Sequence, residues 1–178
     1  MIRHHLLALA TASTLLLSSA AQAEGGNFYL YGHLGQAMIE ERLLVSYEDD
    51  SDTSVGVRLG WEVNGWLGVE VGYSNFGEFQ STCCVPGPFQ RLDYDTTELG
   101  LRGRWAFGDS SWYGVGRAGV HRWDDGTGRG SRRDTYYGVG VGYRIDERFS
   151  VGVDYDLYQT DNAFRDVDRV GVGVEVAF

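Results

Sequence analysis

Lysine is absent from this 178-residue chain: all 15 basic residues are Arg, set against 25 Asp and Glu, for a formal charge of −10. That acidity excludes nucleic acid as a partner, because phosphate binding needs a basic stripe. Proline is scarce too, at two residues, so little interrupts extended structure. Beyond the N-terminal segment no run of 18 apolar residues occurs, which excludes a membrane-spanning helix. The two cysteines, Cys83 and Cys84, are adjacent in a polar stretch. Neighbouring thiols pair poorly and lack zinc or redox spacing, so they read as an incidental loop feature. Export would permit a strained vicinal bridge or an intermolecular bond. What is abundant is 26 Gly, 11 Tyr, eight Phe and five Trp, the material of strands and tight turns.

Residues 1–23 carry Arg3, an apolar stretch from Leu6 to Leu17, and Ala21-Gln22-Ala23. A basic start, a short apolar run and a small-x-small site describe a cleavable signal peptide. The run is too short for a spanning helix, which needs about 20 residues. Residues 24–178 are expected to form one domain in an exported protein.

Alternation at period two dominates that domain. Val170, Val172, Val174, Val176 and Phe178 oppose Arg169, Gly171, Gly173, Glu175 and Ala177. The same pattern sets Val55, Val57, Leu59 and Trp61 against Gly56, Arg58 and Gly60, and Leu67, Val69, Val71 and Tyr73 against Gly68, Glu70 and Gly72. Leu99 and Leu101 oppose Glu98, Gly100, Arg102 and Arg104. Tyr137 to Tyr143 and Val151 to Leu157 follow suit, the latter opposing Gly152, Asp154 and Asp156. Strands near 27–36 and 112–122 bring the expected count to eight.

Connection lengths and tryptophans separate a membrane barrel from a soluble sandwich. Short turns at Asn64-Gly65, Gly108–Ser111 and Asp146–Arg148 alternate with long polar loops near 37–53, 77–91, 123–133 and 159–166. Short periplasmic turns, long extracellular loops and an even strand number are the bacterial outer-membrane pattern. Trp61, Trp66, Trp105 and Trp112 flank the short turns and, with Phe178, make an aromatic girdle; Trp123 alone lies near a long loop. The expected fold is an all-β, eight-stranded antiparallel up-and-down transmembrane β-barrel in the outer membrane. Hydrocarbon offers no hydrogen bonds, so the sheet must close without edges. Eight strands leave an interior that side chains fill, and inward Gly makes room for long Arg and Glu chains.

The segment Val57-Arg-Leu-Gly-Trp-Glu-Val-Asn-Gly-Trp-Leu-Gly-Val-Glu-Val-Gly-Tyr73, followed by Phe76-Gly77, resembles the second hairpin of the outer membrane protein A transmembrane domain. Tyr31-Gly-His-Leu-Gly35 resembles that family's first strand, and the terminal Phe178 resembles its signal to the barrel-assembly machinery. The resemblance implies a luminal ion-pair network over a small or absent pore. Within it Glu70 is the acid of strand three, Arg102 its partner on strand four, and Arg117 the arginine of strand five. The family's charged positions on strands six and seven fall on Gly142 and Gly152, with Arg144 and Asp154 two residues away. The chain is expected to end at the barrel, without the family's periplasmic peptidoglycan-binding domain, and in length is closer to barrel-only relatives of the OmpX type.

The expected luminal constellation is Arg58, Glu70, Glu98, Arg102, Arg117, Arg144, Asp154 and Glu175, with Arg169 a further candidate. A charge there must be paired or wetted. Placing Arg117 inward turns Tyr113 and Val115 inward too, which a bulge would reconcile. A filled lumen that sets register and a gated ion pore are the competing roles. No catalytic, cofactor or metal site is read. His121 is followed by Arg122-Trp123 rather than by the Ser of lipid A deacylase barrels, and the protease barrels suggested by Asp124 and Asp125 need ten strands. The acids Glu40, Glu41, Glu48, Asp49, Asp50 and Asp52 match no calcium-loop spacing and read as a solvated loop. Arg122, Arg129, Arg132 and Arg133 are placed to contact lipopolysaccharide phosphates, making outer-membrane lipid the expected partner.

Overall fold

The computed structural model describes residues 28–39, 47–49, 51–81, 90–124, 133–160 and 166–178. Eight principal strands run in chain order: β1 Phe28–Ile39, β2 Ser51–Glu62, β3 Leu67–Ser81, β4 Gln90–Ala106, β5 Trp112–Asp124, β6 Arg133–Arg144, β7 Phe149–Tyr158 and β8 Val167–Ala177. Each pairs antiparallel with its sequence neighbours, and β1 pairs with β8, so the sheet closes. A three-residue segment, Tyr47–Asp49, pairs with the outer part of β3. The result is an up-and-down β-barrel. Its strands of 10 to 17 residues are long enough to cross a bilayer, which takes about 9–11.

The strands run further than expected at the loop end. β1 reaches Ile39, β2 starts at Ser51, and β3 and β4 continue pairing to Ser81 and Gln90. A β-bulge between Asn75 and Glu78 interrupts that last pair, with Gly77 at φ 82°, a conformation that suits glycine. Of the acidic segment, Glu48 and Asp49 are strand residues and Asp52 lies on β2, while Glu40, Glu41 and Asp50 lie outside the described residues. The signal segment 1–23, Cys83, Cys84, Asp125, Arg129 and Arg132 lie outside them as well.

The start of β1, the C-terminal Phe178 and three short turns share one end. Phe178 N–H donates to Phe28 O at 2.8 Å, tying the end of β8 to the start of β1. The Asn64-Gly65 turn differs from the two-residue hairpin its sequence suggests, which would need positive φ at both residues; positive-φ glycines among the described residues are Gly77 and Gly108. Instead Val63–Trp66 forms a wider loop that the Asn64 side chain closes by accepting from Trp66 N–H (3.1 Å) and Leu67 N–H (2.8 Å). Asp146 repeats the device in the third turn, accepting from Arg148 N–H (2.7 Å) and Phe149 N–H (2.8 Å). Those donors favour the charged carboxylate and hold its pKa below the usual value.

Alternation sorts the side chains. Val55, Val57, Leu59, Val71, Leu99, Leu101, Val139, Val153 and Val172 point outward and are exposed, while the charged residues between them are buried inside. Water would penalise so continuous an apolar exterior, whereas lipid satisfies it. Trp61, Trp66, Trp105 and Trp112 stand exposed at the short-turn end. Phe28 stacks on Trp61 at 6.5 Å and Tyr143 meets Trp112 edge-on at 5.0 Å, while Phe178 is half-buried beside them.

Candidate functional site: a filled lumen and its two ends

The inward faces converge on an interior of arginines and carboxylates. On the short-turn side Glu70 is the hub. It accepts from Tyr29 OH (2.8 Å) and Arg117 Nε (3.2 Å), with Arg102 Nε at 3.8 Å. Arg102 and Arg117 sit directly opposite each other on β4 and β5, a repulsive register that the carboxylate between them neutralises. Arg102 also donates to Glu175 at 2.6 Å, and Arg104 bridges Glu175 to Glu62.

On the loop side Arg58 is the hub. Its Nε donates to Glu98 at 2.9 Å, and its Nη2 donates to Asp156 at 2.7 Å and Tyr158 OH at 2.9 Å. Glu98 also accepts from Ser74 Oγ and Tyr158 OH, both at 2.7 Å. Arg169 pairs with Asp154 and Asp156, and Tyr31 OH donates to Asp154. The two clusters meet where the Arg117 guanidinium lies 5.0 Å from the centre of the Tyr31 ring.

Seven of the eight expected luminal residues therefore lie inside and touch an opposite charge: Arg58, Glu70, Glu98, Arg102, Arg117, Asp154 and Glu175. Arg144 does not. It is the last residue of β6, exposed at the short-turn mouth, where its backbone N–H donates to Ser111 O. Its inward parity is irrelevant because the strand has already left the lumen. Asp156 and Arg104, which alternation turns inward but the expected constellation leaves out, take part as well, and Arg169 joins them. Both omitted positions carried the same signal as the others, a charge in register with inward glycines.

No bulge is needed around Arg117. The registers of β5 with β4 and β6 are unbroken, and Tyr113 and Val115 are simply buried in the lumen. Tyr113 faces Gly142 across the strands, and the Arg104 guanidinium lies 4.7 Å from its ring centre. Inward glycines thus serve tyrosine rings as well as charges. A side chain at Gly60 would strike Tyr29, at Gly173 Tyr31 and at Gly100 Tyr136, whereas Gly72 makes room for Arg58 and Gly138 for Asp156. This seating of rings against flat backbone is what the sequence pattern concealed.

Aromatic packing closes the loop end. Phe76, Tyr136 and Tyr158 are fully buried, and Trp123 turns inward, 5.5 Å from Phe76 and 4.9 Å from His121. His121 Nε2 lies 3.0 Å from Gln159 O, with ring neighbours Trp123, Tyr136 and Tyr158. A cavity between Tyr31, Arg102, Tyr113, Arg117 and Asp154 measures about 10 Å³, room for roughly one water. A wider recess of about 320 Å³ opens at the other end beside Glu62, Arg104, Arg144 and Glu147. Arg122 and Arg133 are exposed on the outer wall at the loop end, side by side in the β5–β6 register.

Solved structures share this architecture. The Neisserial surface protein A is 19% identical, with a TM-score of 0.53 over 87% of this chain and 100% of its own. OprG of Pseudomonas aeruginosa is 14% identical, with a TM-score of 0.60 over 86% of this chain and 96% of its own. Ail, the attachment invasion locus protein of Yersinia pestis, is 16% identical, with a TM-score of 0.51 over 86% and 99%. At these identities the likeness is one of fold. No curated protein sequence matches the chain. The model of the outer membrane protein beta-barrel domain matches residues 7–178, and the chain belongs to that family of the bacterial outer membrane.

Proposed function

We propose that this barrel has a structural and interaction role in the cell envelope: a closed scaffold, exported by the 1–23 signal, that presents its outer loops to the surroundings. The observation that carries this reading is the lumen, crossed by two ion-pair clusters and capped by packed aromatics, with about 10 Å³ of free space between Tyr31, Arg102 and Arg117. So filled a lumen supports contact at the loops and rim rather than passage of a solute. The fold neighbour Ail is the attachment invasion locus protein of Yersinia pestis, which supports a display role for this architecture. His121, a candidate base at the loop end, has rings and the Gln159 carbonyl around it, which supports a role without catalysis. Cells displaying the parent should adhere to immobilised host matrix better than cells displaying a barrel with trimmed loops and unchanged heat-modifiable migration. Equal adhesion removes the display role.

A second reading, a small gated ion pore, has one observation in its favour. Buried guanidinium nitrogens such as Arg58 Nη1 and Arg117 Nη1 have no protein partner among the described residues, and such groups call for water. Planar-bilayer recording separates the two. The closed scaffold predicts silence from the parent and from Glu70→Ala and Arg102→Ala. Discrete conductance steps that grow in either variant would establish the pore.

A further inference from the structure

Two arginines on the lipid-facing wall have no part in the luminal network. Arg122 on β5 and Arg133 on β6 are cross-strand partners, and among the described residues neither forms an ion pair. Like charges placed directly opposite destabilise a sheet unless something neutralises them. Their height is informative. Arg122 stands ten residues up β5 from Trp112 of the girdle. At about 3.4 Å per residue and a tilt near 40°, that is roughly 26 Å along the membrane normal, against an apolar band about 25 Å tall. The pair therefore sits where the outer leaflet's headgroups begin.

Beneath it lies a groove of about 620 Å³ on the outer wall, walled by Val71, Tyr73, Leu99 and Val120 and reaching Arg122 and Arg133 at its head. Two carboxylates belong to its lining: Asp95, which accepts from Asn75 Nδ2 at 2.7 Å, and Glu98, which Arg58 pairs from the luminal side. Two cations above an apolar trough complement a lipid whose head is anionic and whose tails are hydrocarbon. Arginine suits a phosphate because its planar fork donates two parallel hydrogen bonds. We infer that Arg122 and Arg133 form a clamp for a phosphate of an outer-leaflet glycolipid, with an acyl chain of that lipid lying in the groove. This rests on the barrel's membrane placement and not on the display role of its loops.

The test is titration of the refolded full chain, in zwitterionic micelles, with bisphosphorylated lipid A and with the same lipid dephosphorylated. Bound lipid is counted by native mass spectrometry. The parent should prefer the phosphorylated lipid, and Arg122→Ala/Arg133→Ala should weaken that binding about tenfold or more, since a hydrogen bond to a charged group carries roughly a tenfold effect. Arg148→Ala, at the opposite rim, should change nothing. Millimolar inorganic phosphate should fail to displace the lipid, and displacement by it would refute the acyl groove. Equal binding of both lipids by the parent, or undiminished binding by a double variant that keeps heat-modifiable migration, would overturn the clamp.

Discussion

Replacing Arg58 by Ala tests the luminal network where it is most densely connected. Arg58 is 0% exposed and donates to Glu98, Asp156 and Tyr158. Its removal leaves two buried carboxylates short of a cation. Asp156 retains Arg169, and Glu98 retains only neutral donors, Ser74 and Tyr158 with Thr96 at 3.3 Å. Breaking one side of a buried ion pair costs about 3–5 kcal/mol. The neutral donors around Glu98 place the expected loss at the lower end, about 3 kcal/mol. Removing Glu98 together with Arg58 should cost less than the two single losses combined, because the stranded charge goes with its partner. A coupling of about 1–3 kcal/mol is expected. Urea unfolding in lipid vesicles, followed by tryptophan fluorescence, measures all three variants. A loss below about 1 kcal/mol for Arg58→Ala, or additive single losses, would refute the reasoning. It would mean that water already screens these charges.

Two further outcomes follow from glycine and turn chemistry. Gly142→Ala would drive a methyl into the Tyr113 ring and should cost about 1–3 kcal/mol, whereas Gly32→Ala faces open space on the lipid side and should be neutral or slightly stabilising; the same unfolding assay distinguishes them. Asp146 holds its turn through its ionised carboxylate, whose pKa lies below the usual value, so this support is present at neutral pH and is lost as pH falls through that lowered value. Amide exchange at Arg148 and Phe149 should accelerate in Asp146→Ala at neutral pH, and protection equal to the parent's there would count against the turn assignment.

Sequence alone determined the architecture of this protein, because a period-two pattern ending in short turns has one edge-free solution in lipid. Val170 to Val176 and Leu67 to Tyr73 declared their outward faces, and four tryptophans marked one end. Alternation also nominated most of the luminal charges, since parity is a local property of a strand. Where each strand leaves the membrane is not local. Arg144 has inward parity yet lies at the mouth, and β3 and β4 pair far beyond the stretch their polar sequence suggested. Only closure of the sheet decided which charges meet. Glu70 gathers arginines from β4 and β5, and Arg58 reaches Asp156 on β7 across the lumen. Those pairings depend on stagger and tilt around the barrel, which no single strand encodes. The seating of the tyrosines was hidden for the same reason: parity with Arg117 turned Tyr113 inward, but the vacancy over Gly142 that takes its ring exists only once β5 and β6 are in register.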